Sequence, residues 1–147
     1  MVKQTDIQLA SELRTVVTRL IKKLRKHSVT GMALSLTERS TLSLLDQYGE
    51  LLPNELASME KITNQSMSQI LNHLAELGYI NRRTSKEDKR KSIISLSAKG
   101  AAVLKQVRSE RDNWLYLAIN ETCTEEEIDI LKRSIKPLKK LVDFEDD

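Results

Sequence analysis

The spacing of apolar residues changes once along this chain, and that change limits what it can fold into. Before Gly78 apolar residues return every three or four positions, as on one face of a helix, and they do so again after Ala98. Between them, "YINRR" and "RKSIISL" read as short strands, with Ile94 and Leu96 on one face. The charged "TSKEDK" between the two strands is a hairpin loop without the Asn-Gly or Asp-Gly of the tightest turns, and therefore a long and mobile one. A single small hairpin inside an otherwise helical chain is the expected architecture. With only 4 Gly and 2 Pro, the chain has few breakers to allow much else.

The helices can be placed from caps and stripes. Leu9, Leu13, Val16, Val17, Leu20, Ile21 and Leu24 give Asp6 to about Lys26 a wide apolar face, opposite a basic face read as solvated surface. Gly31 loosens the chain that follows. Thr37 is the expected N-cap of a helix buried through Leu42, Leu44, Leu45 and Tyr48 and ended by Gly49. A short helix opens at Pro53 and buries Leu56, Ala57 and Met59. Thr63 caps a third, with the stripe Met67, Ile70, Leu71, Leu74 and Leu77 and a left-handed Gly78 beyond it.

After the hairpin, Ser97 caps a helix from Ala98 to about Asn120. Arg111 falls inside its apolar stripe, which calls for a bend or a paired arginine. Thr124 and Glu127 form a capping box for a last helix that Pro137 should kink, followed by the acidic tail "DFEDD".

The third of these central helices has an unusual surface. Asn64, Gln65, Ser66, Ser68, Gln69, Asn72 and His73 cover its exposed side, and Glu76 is the only charged residue between Thr63 and Gly78. A face needing only solvation would more often carry Glu, Lys and Arg, which favour helix. Asn and Gln can instead pair with adenine edges, and Ser or Thr with bases or phosphates. The hairpin beside it is the reverse. From Arg82 to Lys91 there are six basic and two acidic residues, a surplus larger than the +3 of the whole chain. Alone, such a run reads as a solvated loop. Beside an uncharged polar helix it reads as a wing, with Arg82, Arg83, Lys86, Lys89 and Lys91 placed for phosphates and an arginine at the tip for a narrow minor groove. The element order is that of a winged helix-turn-helix.

The wing reads Asp88-Lys89-Arg90, then "KSIIS", then Leu96-Ser97-Ala98-Lys99-Gly100. With its Asp-x-Arg wing and Leu-Thr/Ser-x-x-Gly helix start, the stretch from about Leu36 to Gly100 resembles the MarR family of bacterial transcriptional regulators. "LAELGYINRR" resembles its Leu-x-x-x-Gly-hydrophobic-hydrophobic-x-Arg pattern. The resemblance implies a mainly α protein with a small β-hairpin wing, flanked by dimerisation helices. Residues 31–100 would bind DNA, and residues 1–30 and 101–147 would form a homodimer. It implies Arg90 as the minor-groove residue and Asp88 as its brace. The major-groove candidates are Thr63, Asn64, Gln65, Ser66, Ser68, Gln69 and His73. The implied role is a repressor on a pseudo-palindromic operator, released by a small-molecule effector.

Other classes have less support. No phosphate loop, Gly-x-Ser-x-Gly elbow or metal-ligand cluster suggests an enzyme. His27, His73 and Cys123 are too few for a His/Cys metal site, and no cofactor is expected. Cys123 is read as structural, and Tyr48, Tyr79, Trp114, Tyr116 and Phe144 as core. A winged module that binds protein rather than DNA is the alternative. The opening residues lack a signal-peptide core and no apolar run approaches a membrane span, so the expected location is the cytoplasm.

Overall fold

Ten elements, α1 (Gln4–Lys26), α2 (Val29–Met32), α3 (Leu36–Tyr48), β1 (Glu50–Leu51), α4 (Pro53–Glu60), α5 (Asn64–Glu76), β2 (Ile80–Thr84), β3 (Ser92–Leu96), α6 (Ala98–Thr122) and α7 (Glu125–Val142), follow one another in a computed structural model that describes residues 4–145. The last two residues of the acidic tail lie outside that range. Residues up to Arg111 pack as one unit and those from Asp112 as another.

The first unit is built on leucines at helical spacing. Leu42 and Leu45 of α3, Leu56 of α4, and Met67, Leu71 and Leu74 of α5 are essentially inaccessible, and Ile80 and Ile94 close the core from the sheet. Each fully buried side chain of this size contributes roughly 1.5–3 kcal/mol. The sheet has the order β1-β3-β2, all antiparallel, with Ile80 opposite Leu96 and Thr84 opposite Ser92. The hairpin is as expected. β1 is not legible in the sequence, because two residues are too few for any period; its pairing of Leu51 with Ile94 ties the start of α4 to the wing.

The caps mostly fall where expected. Thr63 Oγ1 accepts the Ser66 amide, and Thr124 and Glu127 form a reciprocal capping box. Pro53 opens α4. Gly78 adopts φ 78°, beyond what a side chain tolerates readily, so that Tyr79 N can return to Leu74 O. α3 starts differently. Ser35, not Thr37, is its N-cap, because Ser35 stands three residues before Glu38 and the two satisfy each other's backbone donors.

Gly31 does not loosen the chain. It sits buried in α2, where an added Cβ would lie 2.7 Å from Ser28 Oγ and 3.2 Å from Val107 Cγ1. Glu110 of α6 holds this short helix in place, accepting from the Ser28 hydroxyl and from the amide and hydroxyl of Thr30.

Several expected core residues are exposed. Met59, Tyr48 and Tyr116 face outward, each at an end or on an outer face of its helix, and Phe144 is exposed beyond the end of α7. In the second unit, α7 runs on through Pro137 to Val142 and buries none of its side chains. Ile130, Leu131, Ile135 and Leu141 are left exposed there, as are Leu9, Val16 and Ile21 on α1.

Candidate nucleic-acid interface

α5 is oriented by its apolar stripe. Because Met67, Leu71 and Leu74 point into the core, Asn64, Gln65, Ser66, Ser68, Gln69, Asn72 and His73 point out and are exposed. Thr63 spends its hydroxyl internally, accepting from the Ser66 amide at 3.0 Å and donating to Ser66 Oγ at 2.9 Å. Lys61, the one non-glycine with a left-handed backbone among the described residues (φ 56°), sets the turn between α4 and α5.

The wing loop is drawn together by a few hydrogen bonds rather than left open. Ser85 N donates to Lys91 O at 2.9 Å, Lys91 N to Asp88 O at 3.0 Å, and Asp88 N to Ser85 Oγ at 3.3 Å. Within this frame Asp88 Oδ1 accepts both the Arg90 amide, at 3.0 Å, and Arg90 Nε, at 3.3 Å. Those two bonds hold the Asp88 carboxyl below its ordinary titration range. The Arg90 side chain is 91% exposed, so the bracing leaves most of the guanidinium free. A groove of about 310 Å³ brings Asn64 and Ser68 of α5 together with Arg90, Lys91 and Ser92 of the wing.

The other basic residues differ in their partners. Arg82 Nη2 donates to Asn72 Oδ1 at 2.9 Å, which fixes the wing to the recognition-type helix. Arg83 reaches across β3 to Glu50, with contacts at 2.9 and 3.4 Å. Lys86 and Lys89 are exposed. His73 lies at the far end of the polar face, with Nδ1 bonded to Glu38 Oε2. Glu38 is almost buried. Burial opposes its ionisation, but the Ser35 amide, the His73 ring and the Ser35 side chain outweigh that, and the carboxyl titrates below its usual value.

Sequence reasoning missed Glu50, Ser85 and Glu38 as partners of site residues. Only the Ser35–Glu38 spacing carried a readable signal. It also missed Arg39, whose Nε and Nη1 are buried without hydrogen-bond partners. α6 is continuous through Arg111, and the Arg111 Nε is likewise unpartnered. Burial, and then the nearby Arg25, lower its pKa. Arg39 and Arg111 line a crevice of about 240 Å³ between α3 and α6, with Ser40, Ser43 and Arg108.

A helix, a short strand, two further helices and an antiparallel hairpin in this order, with an exposed polar helix beside a basic hairpin, define a winged helix-turn-helix protein. The family model of the MarR family matches residues 34–92. An HTH-type transcriptional regulator of Mycobacterium tuberculosis is 32% identical over 139 residues, spanning 95% of this chain and 96% of that protein. The crystal structure of a proposed transcriptional regulator of Pseudomonas aeruginosa superposes with a TM-score of 0.87 at 28% identity, covering 98% of this chain and all of the other. A mutant of Escherichia coli MarR, solved with operator DNA, has the same fold, with a TM-score of 0.61 and 19% identity over 90% of this chain and 94% of that one. The chain belongs to the MarR family of helix-turn-helix transcriptional regulators. Among the described residues no helix is long and apolar enough to cross a membrane.

Proposed function

We propose that this chain is a homodimeric repressor that binds a pseudo-palindromic operator through residues 31–100 and dimerises through residues 1–30 and 101–147. The observation that carries the reading is the groove where Asn64 and Ser68 meet Arg90. It places hydrogen-bonding side chains beside a projecting guanidinium. In this reading Asn64, Gln65, Ser66, Ser68 and Gln69 enter the major groove, with Thr63 shaping the helix start. Arg90, braced by Asp88, enters the adjacent minor groove. Lys86, Lys89, Arg82 and Arg83 add phosphate contacts, which position the protein without reading sequence. The exposed apolar rows of α1 and α7 support a second copy as the dimer partner, since neither row is covered within one chain. Two copies spanning a promoter would block other proteins from the same duplex, which is repression by occupancy.

An anionic small molecule is the proposed effector, and the crevice between α3 and α6 is its site. A buried guanidinium without a partner is destabilising, and a carboxylate would satisfy Arg39 and Arg111 with charge-assisted hydrogen bonds.

Selection of duplexes from a random pool tests the reading. The expected product is two inverted half-sites about one turn, ~10 bp, apart. Binding should weaken roughly thousandfold between about 50 and 200 mM salt. A flat salt response and no selected sequence would overturn it and point to a protein-binding module.

A further inference from the structure

The proposed DNA-binding surface contains one imidazole, that of His73, and the fold holds it by one side of its ring. Glu38 is an ionised, nearly buried carboxylate, so it can only accept. Its Oε1 accepts the Ser35 amide at 2.9 Å, which anchors the carboxylate to the start of α3. Its Oε2 contacts His73 Nδ1, and that nitrogen therefore carries a proton in either charge state of the ring. Nε2, on the opposite side of the imidazole, then has two forms. In the neutral ring it is a bare lone pair. In the imidazolium it is an N–H donor carrying positive charge. The His73 side chain is 48% exposed and shares a concavity of about 340 Å³ with Ser66 and Gln69.

We infer that His73, positioned by Glu38, is a proton-dependent contact to the DNA backbone: its imidazolium Nε2–H donates to a phosphate oxygen, and loss of the proton removes the contact. This rests on the DNA-binding reading and adds to it a regulation by pH. Among the described residues, Glu38 is the titratable group that α3 turns toward the ring. Ser35, Ser66, Gln69 and Ile70 complete the concavity and carry no charge, and neither α4 nor β2 contributes a residue to it. On α5 itself Glu76 lies one turn further on. Glu38 stays ionised throughout the neutral range, so the charge that changes is that of the ring. Proton uptake coupled to DNA binding makes affinity rise as pH falls.

The test is duplex affinity at pH 6 and pH 8, each across a salt series, for the wild type and for His73→Gln. His27, the other histidine, is present in both proteins, so its contribution cancels. The wild type should bind roughly tenfold or more tighter at pH 6, as expected for a charged hydrogen bond. Its slope of log affinity against log salt should be steeper by about 0.9 at pH 6, the release of one counterion. His73→Gln should have equal slopes at the two pH values. A purely structural His73 would lower affinity without changing the slope. Duplex binding with the same pH and salt profile in both proteins overturns this inference and leaves the DNA-binding reading standing. No duplex binding by either protein at low salt overturns both.

Discussion

One oxygen of Asp88 holds Arg90 twice. Asp88 Oδ1 accepts the backbone amide and the side-chain Nε of a residue only two positions away, closing a small ring at the wing tip. The pair lies on the surface, so its importance is in aiming the guanidinium rather than in stabilising the fold. Arg90→Ala should weaken operator binding about tenfold or more, the scale of a charged hydrogen bond, with unchanged thermal unfolding. Asp88→Ala should give a smaller loss of affinity at equal stability. Titration of duplex with each variant, alongside melting curves, checks both.

Glu38→Gln should lower stability at pH 7 by about 1–2 kcal/mol, since the side chain closes the cap of α3 and holds His73. The folded pKa is depressed, so this contribution is present above the ordinary value of 4.5 and disappears as pH falls through the lower folded value. The stabilities of variant and wild type should therefore converge progressively as pH falls below 4.5. Urea unfolding in a pH series descending from pH 7 measures the convergence.

Gly100→Ala should be strongly destabilising. A Cβ there would stand 2.0 Å from the carbonyl oxygen of Tyr79, so backbone must move. Overpacking of this kind costs about 1–3 kcal/mol and occasionally more. This explains the glycine of the Leu-Ser-x-x-Gly helix start: Ser97 Oγ accepts the Gly100 amide and donates to Gly78 O, pulling the two segments together. Denaturant midpoints of variant and wild type decide it.

Glu50→Gln should tighten DNA binding, by up to about fivefold at low salt, because it frees Arg83 and removes a negative charge beside the wing. A loss of affinity instead would mean that the Glu50–Arg83 contact shapes the hairpin. Binding isotherms at two salt concentrations separate these outcomes.

On the proposed dimer, Leu131→Glu on α7 should give monomers and abolish tight operator binding, because a charge placed in an apolar interface would lose its water. Sedimentation analysis reports the mass, and a duplex titration of the same sample reports the binding.

Most of the fold could be read from the chain because its signals are local. Thr63, Thr124 with Glu127, Gly49, Gly78 and Pro53 each act within four residues of themselves, and the leucine stripe of α5 dictates which of its side chains face out. The hairpin could be read for the same reason. Ser35 was overlooked as a cap because Thr37 offers the same chemistry two residues on. The difference lies in the distance to Glu38, which only the spacing rule separates.

The candidate site was legible as a list of side chains but not as a set of partners. The sequence by itself determined an uncharged polar helix next to a basic hairpin, because periodicity decides which faces are buried and composition decides what the exposed faces can bond. Only the tertiary structure decided that Arg83 is held by Glu50, that Arg82 is tied to Asn72, that Glu38 grips His73, and that Arg39 is buried without a partner. These pairs are set by where separate elements come to rest against the core. Residues ten to thirty-five positions apart meet only after that packing, and nothing in their spacing records it.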